Sequence, residues 1–157
     1  MKLSGGVEWA VHCCVVLSQA EGPVPTQRLA EFHGISRTYL AKHLQQLSRA
    51  GLVTSTEGRV GGYLLTRPGD EITVLDVVQA IEGREPAFRC TEIRQNGPLP
   101  ASPQVCQRPC GVNRVMQLAE QAWRESLRAV TIADLAAGVL QDAGPQTFDR
   151  VREWLAT

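Results

Sequence analysis

The stretch TQRLAEFHGISRTYLAKHLQQLSRAG, residues 26–51, decides the fold. Thr26 is placed to cap a short helix over residues 27–32, which offers Leu29, Ala30 and Phe32 to a core. His33-Gly34-Ile35 then forms a tight turn, because glycine adopts the backbone angles that a sharp reversal needs. Ser36 caps a second helix over residues 37–50, and Gly51 stands where helices commonly stop. Leu40, Leu44 and Leu47 recur at the helical interval and form its buried stripe. Arg37, Thr38, Tyr39, Lys42 and His43 fall largely on its other faces. Two short helices, a glycine-containing turn and a capped second helix make a helix-turn-helix, whose second helix meets base edges with its N-terminal half.

Working outward, residues 52–54 and 63–66 read as two strands around Glu57-Gly58-Arg59-Val60-Gly61-Gly62. The glycines permit the reversal, and Arg59 at its tip is placed to enter a groove or touch phosphate. A helix-turn-helix followed by a basic glycine-rich hairpin is a winged helix. Before it, residues 7–20 form a helix that is apolar nearly all round and therefore buried, with Cys13 and Cys14 as core residues and His12 as a packing residue. After it, Thr73 caps a helix over residues 74–82 that Gly83 stops. Residues 86–109 are rich in Pro, Gly, Gln and Ser and carry Cys90 and Cys106, with Cys110 just beyond. A loop of that length in a small protein points to a function. Residues 111–127 form a long amphipathic helix with Val115, Leu118, Ala122 and Trp123 toward one side, and residues 147–155 form a short terminal helix. The expected protein is mainly α with a small β-wing. Its segments are a winged helix-turn-helix over 1–84, a cysteine-bearing loop over 85–110, and a dimerisation helix with a C-terminal helix over 111–157.

The chain has 157 residues, 43% hydrophobic and 20% charged, as an ordinary globular protein has. Its formal net charge is zero, but the distribution is uneven. From Thr26 to Arg67, six basic residues (Arg28, Arg37, Lys42, Arg49, Arg59, Arg67) face two acids (Glu31, Glu57), a local +4 that leaves −4 elsewhere. Phosphate contacts need such a patch. Arg28, Ser36, Arg37, Thr38, Tyr39, Lys42 and Arg59 are the candidate DNA-binding residues. No stretch spans a membrane and no secretory leader is visible, which points to the cytoplasm. In a reducing compartment, five cysteines suggest packing, metal or redox roles. No nucleophile–base set, phosphate-cradling loop or metal-hydrolase motif is present, so an enzyme is not expected.

Met1-Lys2-Leu3, His33-Gly34-Ile35-Ser36, Gly58-Arg59-Val60-Gly61-Gly62-Tyr63 and the run from Asp76 to Gly83 form an ordered series of motifs. With Cys110 and Thr131-Ile132-Ala133-Asp134-Leu135, they resemble the IscR/NsrR family of iron–sulfur winged-helix regulators. The arrangement is most similar to the RsrR-type redox regulators. The resemblance implies a homodimer on a partly palindromic double-stranded DNA operator, with the long helices crossing at the interface, and an iron–sulfur cluster whose state alters affinity. Of the family's three cysteines, Cys90 takes the place of the first and Cys110 of the last. Cys106, four residues before Cys110 with Pro109 between, departs from the usual spacing.

If Cys106 is not a ligand, two more must be found. Some members recruit an acid from the first helix of the other subunit, where this chain has Glu8, and His33 in the helix-turn-helix turn offers an imidazole. Two thiolates, one imidazole and one carboxylate suit a [2Fe–2S] cluster; three cysteines with Glu8 would suit a [4Fe–4S] cluster, as in a nitric-oxide-sensing repressor. Trp9 reads first as a core aromatic, and beside a ligating Glu8 it would also relay a change in ligation. Two further readings stay open. Cys106 and Cys110 could form a metal-free thiol switch, or Cys90, Cys106 and Cys110 could join a histidine in a structural zinc site.

Overall fold

The computed structural model describes residues 3–56 and 61–156. Arg59 and the wing tip around it therefore lie outside the described residues. The elements in chain order are α1 (Gly5–Leu17), α2 (Thr26–His33), α3 (Arg37–Arg49), β1 (Val53–Thr56), β2 (Gly62–Leu65), α4 (Val74–Glu82), a one-turn α5 (Pro103–Cys106), α6 (Gly111–Arg128), α7 (Ile132–Ala143) and α8 (Thr147–Ala156). Short 3-10 turns at Gly69–Glu71 and Ile93–Gln95 complete them. The protein is mainly α with one two-stranded antiparallel sheet, in which Val53 pairs with Leu65 and Thr56 with Gly62. Among the described residues no helix is long and apolar enough to cross a membrane.

The chain divides into two compact units. The larger runs from the N-terminus to Arg84 and resumes at Leu127. Its core gathers Ala10, Cys13 and Cys14 of α1, Leu29 of α2, Leu40, Leu44 and Leu47 of α3, Val53, and Val77 of α4. Gly34 closes α2 in the left-handed conformation (φ 65°), which lets α3 start immediately from Ser36. The wing base is tied inward as well. Val24 and Tyr63 exchange backbone hydrogen bonds of 2.9 Å in both directions.

Several local readings are revised. The N-cap of α2 is Pro25, with Thr26 already helical and no side-chain cap bond. Helix α7 is fixed by a capping box between Thr131 and Asp134, the twin of the one between Thr73 and Asp76 at α4. The two caps lie side by side, with Val74 N–H donating to Val130 O and Ile132 N–H to Ile72 O, both at 2.9 Å. Because of that bridge, residues 111–157 are not one C-terminal segment. Helices α7 and α8 return to the winged-helix core, where Ile132, Ala136, Phe148 and Val151 are buried.

The smaller unit is Glu85–Ser126. Its loop holds the Ile93–Gln95 turn and α5, which pack on one another. Its start is tied to α6 by Ala87 N–H donating to Glu120 (3.4 Å) and Arg124 donating to Glu85 O (3.4 Å). Helix α6 has no buried residue, and Val112, Val115 and Leu118 are each more than three-fifths exposed.

Candidate functional site

The N-terminal end of α3 is built from its cap. Ser36 Oγ accepts the Tyr39 N–H at 3.2 Å, which fixes the first turn. Arg37, Thr38, Tyr39 and Lys42 are exposed there, and the Tyr39 ring rests edge-on against His43 at 4.8 Å. His43 is not on this face. It is 95% buried, since it stands three residues after Leu40 on the same stripe. Its ring lies against Gly6 so closely that a Cβ there would come within 2.4 Å of it. His43 Nδ1 meets Gln46 Oε1 at 3.1 Å, and Gln46 Nε2 donates to Ile81 O at 3.2 Å. The recognition helix is thereby joined to α1 and α4. Arg28 is directed elsewhere. Its guanidinium donates to the Trp154 backbone carbonyl, lies 3.9 Å over the Trp154 ring, and pairs with Glu31 at 3.6 Å. That engagement with α8 sets Arg28 apart from the exposed residues at the start of α3.

A ring cluster surrounds His33 in the same unit. Trp9 lies 6.0 Å away, His12 6.3 Å and Phe32 5.1 Å, all edge-on. His33 Nε2 is buried without a hydrogen-bond partner. Burial, and then the neighbouring His12, hold the imidazole below its ordinary pKa, so the ring is neutral with a lone pair available at neutral pH. Glu8 is exposed one helical turn before His12, on a face of α1 that leads toward His33. Here His12 is an exposed neighbour of His33 rather than a packing residue, and Phe32 is partly exposed rather than in the core. Trp9 is half-buried.

The smaller unit contributes the loop cysteines. Cys110 Sγ accepts the Asn113 N–H at 3.3 Å, capping α6 at the end where the helix dipole favours negative charge. Cys106 is partly exposed and Cys90 is exposed. Sequence reasoning did not single out Glu92 and Arg94, although an acid and a base within four residues of Cys90 were a visible signal. Arg94 pairs with Glu92 at 2.7 Å and donates to Arg108 O at 2.9 Å, between the two later cysteines. The Glu92 carboxyl is held below the usual range chiefly by its hydrogen bonds with Arg94, and the nearby Cys106 adds to the effect. Arg94 also lies close enough to act electrostatically on both Cys106 and Cys110. Glu92 has φ 52°, a left-handed backbone uncommon outside glycine. Cys13 and Cys14 are of another kind: burial pushes the Cys13 thiol up to about 12 and Cys14 higher still, so both are inert core residues. Among the described residues, no three His, Cys, Asp or Glu side chains of one chain converge on a metal position.

A two-stranded wing base beside a capped, solvent-facing recognition helix defines a winged-helix DNA-binding protein. The chain belongs to the Rrf2 family of iron-dependent transcriptional regulators, whose model matches residues 3–138. It is similar to protein aau3 of Rhizobium meliloti, 35% identical over 139 residues, 86% of this chain and 84% of that protein. Two solved structures are also similar, each with a TM-score of 0.69 at 25% identity. The T. potens IscR structure covers 96% of both chains. The structure of CymR, the global cysteine regulator of B. subtilis, covers 87% of this chain and 97% of that one. The protein is a DNA-binding transcriptional regulator of the IscR and CymR kind and not an enzyme.

Proposed function

We propose that this chain acts as a homodimer on a partly palindromic operator, and that the redox state of an iron–sulfur cluster, [2Fe–2S] rather than [4Fe–4S], sets its DNA affinity. The carrying observation is the buried, unpartnered Nε2 of a neutral His33, on the face of the unit that also presents Glu8. Cys110, capping α6 through its sulfur, and the exposed Cys90 are the thiolate donors. The donor set fits: thiolates with one imidazole and one carboxylate suit a cluster whose non-cysteine ligands sit on one iron. Because some members of the resembled family recruit an acid from the partner's first helix, we read the site as shared between two copies, with the thiolates from one and Glu8 from the other. When bound, the cluster supplies a reversible one-electron change. The protein's part is to orient the donors and pass the change on. Trp9, beside Glu8 and edge-on to His33, is the relay in this reading, and α1 rests on the recognition helix at Gly6 and His43. The exposed apolar residues of α6 supply the dimer surface.

The test is iron and sulfide content with visible absorption on protein purified without air, for the parent and His33→Ala. About two irons and two sulfides per cluster, with a spectrum altered by the substitution, is the expected result. Four irons with an unaltered spectrum would replace it with a [4Fe–4S] site of three cysteines and Glu8. A second reading, a metal-free thiol switch, rests on Arg94 facing both Cys106 and Cys110. It requires a colourless protein whose DNA affinity changes when peroxide takes two electrons and two protons from the thiol pair.

On the DNA side, Lys42 is exposed beside the recognition-helix start. Lys42→Ala is expected to weaken binding to all sequences alike and to reduce the log–log salt slope by about 0.9, the value of one phosphate contact. Titrations at several salt concentrations measure both. An unchanged slope removes Lys42 from the interface.

A further inference from the structure

Helix α8 lies beyond the family match, which ends at residue 138, yet it reaches back to the helix-turn-helix turn. Phe148 and Val151 anchor it in the core. Trp154, one turn further along, sets its ring 5.4 Å from Phe32 at 63°, and Phe32 in turn stands 5.1 Å from His33 at 89°. Arg28 also holds Trp154, over its ring and at its backbone carbonyl. Edge-on aromatic pairs contribute roughly 0.5–1.5 kcal/mol each beyond area burial, and a cation–π contact contributes a similar amount. That is enough to select one ring orientation over another. Phe32 alone would not hold still: it is 36% exposed, and a cleft of about 520 Å³ lined by Phe32, Val151 and Trp154 leaves it room to swing.

We propose that α8 is a buttress for His33, with Trp154 and Phe32 as positioning residues that fix the direction of its imidazole. Arg28 locks Trp154, Trp154 sets the edge of Phe32, and Phe32 sets the plane of His33, with Trp9 and His12 as the other rings beside it. In a histidine ligand, such ring packing adds to the orienting role that a polar partner on the second ring nitrogen usually fills. The redox consequence rests on the cluster reading above; the geometric claim stands without it.

The test uses the full chain as Trp154→Ala, Trp154→Phe and Phe32→Leu. In iron-free protein, Trp154→Ala is expected to move the His33 imidazole resonances through Phe32, and Trp154→Phe is expected to restore them. In cluster-loaded protein, Trp154→Ala and Phe32→Leu are expected to change the visible circular dichroism. Both should also alter the relative stability of the two oxidation states about tenfold, which for one electron is 59 mV. Unmoved His33 resonances in a folded Trp154→Ala protein overturn the proposal, whether or not the parent takes up iron. Moved resonances with an unmoved potential uphold the geometric claim and overturn its redox consequence, because α8 would then shape only the empty protein. A parent without iron would defeat the cluster reading and leave the resonance measurement to decide the geometric claim. If Trp154→Ala unfolds α8, Phe32→Leu decides, since it spares the Phe148 and Val151 anchors.

Discussion

Cys110→Ser is expected to abolish iron retention while leaving the fold intact, and the two effects can be separated because one atom carries both roles. The sulfur caps α6 by accepting the Asn113 N–H. A serine oxygen is a strongly preferred cap, so the substitution should preserve or strengthen the helix start. What it removes is the thiolate, the donor type that iron–sulfur clusters need most. Changing an outer partner of a ligand already weakens metal binding 10–100-fold, so losing a ligand should cost more, and purified protein should be colourless. Thermal unfolding of the iron-free forms should match within about 0.5 kcal/mol, as a surface change does. Cys106→Ser, by contrast, should keep its iron. Full iron in Cys110→Ser would remove Cys110 from the ligand set.

Leu44→Ala carries the largest expected cost in stability. Leu44 is fully buried in the stripe that seats α3 on the core, together with Leu40 and Leu47. Truncating such a leucine costs about 2–5 kcal/mol, the lost transfer energy plus the cavity left behind. Against a typical total of about 5–15 kcal/mol, that leaves a marginal protein. Urea unfolding should show a lower midpoint with little change in slope. Lys42→Ala, two residues earlier but exposed, should unfold like the parent and lose only DNA affinity. A cost below about 1 kcal/mol at Leu44 would mean that α3 is not seated on this stripe.

Much of this architecture was legible because it is local. The leucine spacing of α3, the Ser36 cap, the Gly34 turn, the Thr73 cap and the amphipathic pattern of α6 are each settled within a few residues, and the structure has them where the pattern puts them. The errors fall where a residue's partner is distant in sequence. His43 was given to the DNA face because a polar residue near the start of a recognition helix usually points outward. It is buried because Gly6, without a side chain, leaves a berth for the ring. His12 and Phe32 were given to packing, and both instead ring His33. Arg28 was counted with the DNA contacts by charge alone, before α8 could be seen to engage it.

The sequence by itself thus determined the winged-helix fold class and the family, since hydrophobic period, caps and turn residues are short-range signals. Only the tertiary structure decided what surrounds His33 and what α8 does. The contacts of α8 join residues more than a hundred positions apart, and nothing in the periodicity of either segment records that the other will fold against it.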